Sequence, residues 1–170
     1  MINNINSIIE LIKKSNSTLF ILCGLPYSGK TYLANSIIEK TSIDYISIDN
    51  ILDSLGYDWD TNKLPDELGW KEVMNKSYDM IRSSLANKKN ALYDSTNHTL
   101  ASRNDLRKIA SELDCKTVVL FVNTSEEIVR QRWSENKLDP KRFVLDKALL
   151  DKTVNDFEAP SEDENVLCLS

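Results

Sequence analysis

Apolar residues occur along this chain in two patterns, short continuous runs and longer stretches in which they return every three or four positions. The short runs predict buried strands at 18–23, 45–48, 91–93, 116–122 and 165–169. The longer stretches predict helices at 32–40, 50–55, 70–87, 100–113, 126–136 and 143–157. Because strands and helices alternate, the pattern predicts a parallel sheet with helices on both faces, which is a three-layer α/β/α fold.

The segment before the first strand has a pattern of its own. Its isoleucines recur at helical spacing, at Ile2, Ile5, Ile8, Ile9 and Ile12. We expect residues 1–17 to form an amphipathic helix that packs on the domain, because a membrane-surface helix favours Lys where this polar face carries mainly Asn and Ser. A length of 170 residues suits one folded unit, so a single domain over 1–170 is expected.

A glycine-rich segment connects the first predicted strand to the helix after it. Residues 24–31 read GLPYSGKT, the G-x-x-x-x-G-K-T form of the phosphate-binding P-loop, or Walker A motif. Its glycines let the backbone curl so that successive N–H groups face phosphate oxygens, and the next helix adds the positive end of its dipole. An ordinary glycine turn is the competing interpretation, but the order of strand, loop and helix favours a P-loop nucleotide site.

The motif predicts ATP and Mg²⁺ as cofactors. Lys30 would contact the β- and γ-phosphates, and the Thr31 hydroxyl would bind Mg²⁺. Asp94 ends the third predicted strand, as the Walker B acid of P-loop proteins does, so it would hold Mg²⁺ beside Thr31 or position an acceptor; a strand-end turn residue is the alternative. The expected nucleotide-binding residues of the loop are Gly24, Leu25, Pro26, Tyr27, Ser28, Gly29, Lys30 and Thr31.

Composition narrows the classes of partner. The net charge of -5 and the pI of about 5.0 disfavour long polyanions, because nucleic-acid affinity depends largely on neutralising phosphates. The three cysteines lack C-x-x-C spacing and are expected to be buried free thiols. We expect no signal peptide and no membrane span, since no basic region precedes an apolar run and no apolar stretch is long enough. A reducing, cytoplasmic setting is expected.

Five blocks of the sequence resemble the P-loop kinases of the polynucleotide-kinase and zeta-toxin type, the AAA-like predicted kinases. The blocks are GLPYSGKT, SIDN, LYDSTNHTLASRNDLRKIA, NTSEEIVRQRW and FEAPSEDE. In the third block Asp94, Thr96, Asn97, Arg103 and Ala110 occupy the positions that the family favours. The resemblance implies the sheet order 2-3-1-4-5 and the transfer of the ATP γ-phosphate to a hydroxyl group.

The resemblance also implies roles for individual residues. Asp49 would accept the proton of the acceptor hydroxyl, while an N-cap of the helix starting at Asn50 is a compatible alternative. Arg132 corresponds to the family's lid arginine, which contacts ATP and stabilises the migrating phosphoryl group. Lys30, Asp49 and Arg132 are thus the expected catalytic residues. The expected acceptor-binding residues are Asp49, Asp53, Thr96, Asn97 and Arg103.

Three positions depart from the family pattern. Leu52 stands where nucleic-acid kinases present an arginine, and Asn136 stands at the second lid arginine. Tyr27 replaces the more usual glycine of the P-loop, which a negative φ would tolerate. With Leu52 unable to neutralise a phosphate, a nucleic-acid acceptor is disfavoured; Arg103 or Arg142 would have to be its substitute cation.

The sequence therefore predicts a kinase that phosphorylates a small hydroxyl-bearing acceptor, such as a sugar, nucleoside, amino sugar or antibiotic. Tyr57, Trp59 and Trp70 would either stack on that acceptor or pack against the core. Two alternatives stay open. One is a polynucleotide 5′-hydroxyl or nucleotide-sugar kinase of the zeta-toxin kind, and the other is a nucleotide-binding regulator or slow NTPase without an acceptor.

Overall fold

A parallel sheet is the centre of the computed structural model, which describes residues 4–59, 61, 63–140 and 143–169. Its strands, in chain order, are β1 Thr18–Cys23, β2 Asp44–Ser47, β3 Ala91–Asp94, β4 Lys116–Val122 and β5 Val166–Leu169. The spatial order is β2-β3-β1-β4-β5, and each neighbouring pair is parallel. The predicted fold class and sheet order are confirmed.

Helices connect the strands and start where side chains cap them. The helices are α1 Ile5–Lys14, α2 Lys30–Ile38, α3 Ile48–Ser54, α4 Glu67–Ala86, α5 Leu100–Ser111, α6 Glu126–Leu138 and α7 Lys147–Asn155, with a 3₁₀ turn at Glu162–Glu164. Side chains of Asn4, Ser47, Asp66, Thr99, Ser125 and Asp146 accept hydrogen bonds from first-turn amides. Of these described helices, α2 is the one that begins at the P-loop and has no side-chain cap.

The core lies on both faces of the sheet. Alternate residues of β1 point to opposite faces, with Leu19 and Ile21 packed among the helices α3, α4 and α5, and Phe20 and Leu22 packed among α1 and α2. Every residue of β1 is buried because helices cover both faces of this central strand. In α1, Ile8, Ile9 and Ile12 are buried in the second cluster, while Ile2 lies outside the described residues.

Two predicted boundaries and one burial prediction need correction. The second strand ends at Ser47, whose hydroxyl accepts the Asn50 amide at 3.4 Å, so α3 begins at Ile48 and Asp49 lies in its first turn instead of capping it. Residues 143–146 are not helical, because α7 begins only after its cap Asp146. All three cysteines are free, but only Cys23 is fully buried.

No helix among the described residues is long and apolar enough to cross a membrane.

Candidate active site

The P-loop leaves β1 through left-handed backbone. Gly24 has a φ of 154° and Gly29 a φ of 109°, and a Cβ at Gly24 would lie 2.8 Å from the Val122 carbonyl oxygen and 2.9 Å from Ser28 Oγ. Only glycine fits so close a contact. Tyr27 also adopts a positive φ, of 64°, so the negative φ that would tolerate a tyrosine at this position is not present. Contacts from outside the loop must therefore hold this residue.

The inside of the loop is cationic and rich in donors. Lys30 Nζ donates hydrogen bonds of 2.8 Å to the carbonyl oxygens of Gly24 and Leu25, so its ammonium lies within the loop. Ser28 Oγ is buried with no hydrogen-bond partner among the described residues, and no side chain caps the N-terminus of α2. An orphaned buried hydroxyl, an uncapped helix end and an enclosed ammonium fit the binding of phosphate oxygens.

Arg132 reaches the P-loop from α6. Its Nη1 donates to the carbonyl oxygens of Tyr27 and Ser28, both at 3.0 Å. The Thr124 hydroxyl, in the loop after β4, also donates to the Ser28 carbonyl, at 2.8 Å. In contrast, Arg130 binds Glu126 and Asp151 on the helical surface. Arg132 is thus the cation of α6 that lies beside the phosphate-binding loop.

Acidic residues line the same cleft. Asp49, Asp53 and Asp94 are among its lining residues, as is Thr31 of the P-loop. Asp94 Oδ2 accepts a 2.6 Å hydrogen bond from Tyr45 of β2. Burial raises the pKa of Asp94, although this hydrogen bond and the charge of Lys30 act in the lowering direction.

The donor set suits a magnesium ion that is shared with phosphates. Within the described ranges no group of three or more His, Cys, Asp or Glu side chains could hold a metal on its own. Mg²⁺ usually keeps several waters and takes one or two protein ligands together with substrate phosphates. Thr31 and Asp94 are two such oxygen donors on one cleft, so they fit a magnesium that arrives with a nucleotide.

The cleft has a volume of about 1190 Å³. Pockets for one small ligand usually measure about 300–1,000 Å³, so this cleft has room for a nucleotide and a second substrate. Trp59 and Phe143 form part of its wall, with ring centroids 5.5 Å apart and an interplanar angle of 40°. Tyr57, Trp59 and Trp70 all pack against the core, and of these three aromatic residues only Trp59 also lines the cleft.

Two predicted acceptor-binding residues are not in the cleft, and their assignment is corrected. The side chain of Arg103 is 1% exposed and makes a buried ion pair with Glu164, with Nε–Oε2 and Nη2–Oε1 distances of 2.6 and 2.9 Å. The amide of Asn97 is buried and donates to the Leu22 carbonyl at 2.6 Å. Thr96 lines the cleft as predicted, and Arg142 lies outside the described residues.

The buried Arg103–Glu164 pair supports the loop that follows β3. Arg103 Nη1 also donates to the Asn97 carbonyl at 3.1 Å, and the Cys23 thiol donates to the same oxygen at 3.3 Å. Burial raises the pKa of Cys23 to about 11, against the lowering influence of Arg103, so this thiol stays protonated. These contacts fix the loop after β3 beside the P-loop. In this protein Arg103, which belongs to the third family block, therefore has a structural role.

Two residues of the site carried no readable signal in the sequence. Tyr45 lies on the short strand β2, which pairs directly with β3. Only this pairing of two strands that are distant in the sequence brings the Tyr45 hydroxyl to Asp94. Phe143 was expected within a helix, whereas it lies in an extended segment beside Trp59. His98 also lines the cleft, and burial lowers its pKa, against the raising influence of the Asp156 charge.

Comparison with known proteins gives a family and one curated relative. The family described as AAA domain matches residues 19–160. The L-seryl-tRNA(Sec) kinase of Methanococcus maripaludis is 30% identical to this chain over 119 residues, which are 67% of this chain and 44% of that protein. The chain therefore spans less than half the length of this curated relative.

Solved structures share the fold. Chaetomium thermophilum Kti12, in complex with ADP-AlF3, has a TM-score of 0.65 at 22% identity, covering 89% of this chain and 88% of that one. A chain of the Pnkp1/Rnl/Hen1 RNA repair complex has a TM-score of 0.69 at 21% identity, covering 84% and 44%. A gluconokinase from Sinorhizobium meliloti has a TM-score of 0.60 at 17% identity, covering 91% and 82%.

Proposed function

This chain belongs to the AAA domain family of P-loop proteins, and on that premise we propose that it is an ATP-dependent kinase acting on the hydroxyl group of a small molecule. The family predicted from the five sequence blocks is confirmed by this match. One observation carries the proposal. Two cations, Lys30 and Arg132, lie at the P-loop, and Asp49 lines the same cleft, whose volume leaves room for two substrates.

The donor half of the cleft would bind ATP. The P-loop amides and Lys30 would bind the phosphates, and Arg132 would neutralise charge on the migrating phosphoryl group. Thr31 and Asp94 would hold Mg²⁺, which when bound neutralises the charge of the phosphate oxygens that it contacts. Positioning and charge neutralisation account for most of the catalysis in phosphoryl transfer, and this half supplies both.

The acceptor half would orient the hydroxyl. Asp49 lies in the first turn of α3, where its carboxylate is exposed to the cleft and is stabilised near the positive end of the helix. From there it would accept the proton of the acceptor hydroxyl as the new O–P bond forms and the bond from phosphorus to ADP breaks. Asp53 follows at i+4 on the same helix and faces the same space.

Charge favours a small acceptor over a long polyanion. Asp49, Asp53 and Asp58 line the acceptor side of the cleft. Leu52, which stands at the family's phosphate-binding arginine, is 1% exposed and belongs to the core. Three carboxylates and no cation at that position disfavour a phosphodiester backbone, whereas a neutral or amine-bearing acceptor suits them.

A second candidate is a hydroxyl group attached to RNA. The observation that favours it is the likeness to an L-seryl-tRNA(Sec) kinase, an enzyme whose name places its acceptor on a tRNA. A third candidate, a slow NTPase, needs no acceptor at all. The three differ in what stimulates ADP formation and in how binding responds to salt.

The test is a search for the acceptor with matched variants. Wild type, Lys30→Ala and Asp49→Asn are incubated with labelled ATP, Mg²⁺ and three acceptor sets: a metabolite library rich in sugars, nucleosides and amino sugars, 5′-hydroxyl oligonucleotides, and aminoacylated tRNA. We expect labelled small molecules, with labelling reduced by about tenfold or more in both variants, while Asp49→Asn keeps its affinity for ATP. Faster labelling of either RNA set would overturn the small-acceptor proposal, and phosphate release that no acceptor stimulates would indicate the NTPase.

A further inference from the structure

The residue at position 27 combines an unfavourable backbone with a buried side chain. Tyr27 has a φ of 64°, in the left-handed region that a side chain disfavours, and its exposed fraction is 7%. The phosphate-binding pattern requires no side chain here. The residue therefore retains this conformation because contacts beyond the P-loop hold it.

Those contacts lie on the segment that precedes α7. We name residues 143–146 the lid segment. Tyr27 Oη accepts a hydrogen bond from the Leu145 amide at 3.2 Å and donates to the Phe143 carbonyl oxygen at 3.4 Å. The ring packs with Val129 of α6 and Leu150 of α7 in a buried cluster. The phenol thus lies between α6, α7 and the lid segment.

The backbone of the same residue contacts the lid arginine. The Tyr27 carbonyl oxygen accepts the hydrogen bond from Arg132 Nη1. Trp133 Nε1 of α6 donates to the Leu145 carbonyl oxygen at 2.8 Å. Asn136 of the same helix donates to the Phe143 carbonyl oxygen at 3.5 Å, so side chains of both the P-loop and α6 hold the lid segment. Phe143 then contacts Trp59 on the acceptor wall. Tyr27 therefore connects the P-loop both to Arg132 and, through the lid segment, to the Trp59–Phe143 pair in the cleft wall.

We propose that Tyr27 is a positioning residue, which docks the lid segment and α6 on the P-loop and so places Arg132 against the γ-phosphate. The proposal rests on the proposed phosphoryl-transfer function. A glycine at this position would adopt the same backbone conformation without strain. It would, however, leave the Leu145 amide without its acceptor and leave a cavity between α6 and α7 where the ring now packs. The Tyr27 phenol thereby links the nucleotide-binding loop to the lid segment, which borders the cleft.

The test compares Tyr27→Phe with Tyr78→Phe. The first substitution keeps the ring and removes both lid hydrogen bonds, and the second removes a tyrosine hydroxyl from α4, away from the cleft. Two measurements do not depend on an acceptor: hydrogen exchange of the peptide covering residues 143–150, and the affinity for ADP with aluminium fluoride, a γ-phosphate mimic, relative to ADP alone. Transfer to an acceptor is the third.

In Tyr27→Phe we expect exchange in the lid segment to accelerate about tenfold, because the Leu145 amide, one of the two lid groups bonded to Tyr27, loses its acceptor. Preference for ADP–aluminium fluoride over ADP should fall by a similar factor, ADP affinity should stay within about twofold, and Tyr78→Phe should match wild type. Unchanged exchange, or faster exchange with an unchanged preference for the mimic, overturns the positioning role. Failure of wild type to phosphorylate any acceptor refutes the kinase proposal alone, because the first two measurements still decide the role of Tyr27.

Discussion

The two halves of the cleft are built differently. In the donor half the functional groups are held by the chain itself: Lys30 and Arg132 bind P-loop carbonyl oxygens, and Thr124 supports the Ser28 carbonyl. In the acceptor half Asp49 and Asp53 are exposed on the short helix α3, and no described residue makes an ion pair with either. The side chains of the donor half are therefore fixed in place before a ligand binds. In the acceptor half, the exposed carboxylates can adjust to the substrate that binds.

This difference has a physical origin. A triphosphate is the same in every substrate complex, so fixed donors and cations can be arranged for it in advance at no cost during the reaction. An acceptor varies in size and charge, and exposed carboxylates adapt to it through solvent and side-chain rotation. Specificity of this protein is therefore to be sought in the acceptor half. The two halves share one support, the buried pair of Arg103 and Glu164 below the strand ends.

The largest effect is expected from the shared support. Arg103→Met leaves the Glu164 carboxylate buried without its ion-pair partner, which should lower the free energy of unfolding by about 3–5 kcal/mol. Both halves of the cleft should be lost together. Urea denaturation measures the change, and the double variant Arg103→Met with Glu164→Met should recover much of the stability because no buried charge remains. A double variant that is no better than the single one would contradict this account.

Acid should act on the same pair. Burial by itself would raise the pKa of Glu164, but the hydrogen bonds from Arg103 and the Ser161 amide lower it below its ordinary value of about 4.3. A depressed folded-state pKa contributes stability that is present above the unfolded-state pKa and is lost as pH falls through the folded-state pKa. Wild type should therefore lose stability below about pH 4.3, and the double variant should lose less over the same range.

Lys30→Ala should break the donor half alone. Removing the enclosed ammonium should reduce phosphoryl transfer on the order of a hundredfold or more, as loss of one preorganised charge-stabilising group does. The fold should persist, because the P-loop carbonyl oxygens that accept hydrogen bonds from Lys30 can bind water instead. Steady-state kinetics give the effect, with Lys40→Ala, at an exposed position after α2, as the control. Wild-type turnover in Lys30→Ala would remove the P-loop from the mechanism.

Asp49→Asn should break the acceptor half alone. The amide cannot accept the hydroxyl proton, so transfer should fall by roughly tenfold to a hundredfold, a small effect for a general base because phosphoryl transfer needs little proton abstraction. ATP affinity should stay within about twofold, since we propose that Asp49 contacts the acceptor and not ATP. Asp53→Asn, one turn away, is the matched comparison and should act less strongly. Equal loss of ATP affinity and transfer rate in Asp49→Asn would place Asp49 on the donor side.

The smallest effect should appear where the halves meet. Tyr45→Phe removes the 2.6 Å hydrogen bond to Asp94 without changing the packing of β2. Because that bond lowers the pKa of Asp94, its loss should raise the pKa further and weaken the carboxylate as a magnesium ligand. Half-maximal nucleotide binding should need about threefold to tenfold more Mg²⁺, while affinity without Mg²⁺ stays constant. An unchanged Mg²⁺ requirement would show that Tyr45 does not support the metal site.

The sequence by itself determined the parts of this protein that depend on neighbouring residues. The apolar run 18–23 became β1, and the GLPYSGKT segment became a loop that leads into α2, because backbone curvature and helix start are local properties. The alternation of strands and helices gave the class of sheet, and the resemblance of five blocks gave its order. The P-loop part of the donor half could be predicted for the same reason, since it lies within eight consecutive residues, whereas Arg132 was predicted only from the family resemblance.

Tertiary structure decided what joins distant residues. Arg103 and Glu164 are 61 positions apart, and only the packing of the 3₁₀ turn against α5 turned an expected acceptor ligand into a buried ion pair. The phenol of Tyr27 meets Leu145 across 118 positions, and the hydroxyl of Tyr45 meets Asp94 across 49. A pattern of residue types fixes which side chains are polar, but their partners depend on the register of strands and the docking of helices, which arise from the balance of burial over the whole core.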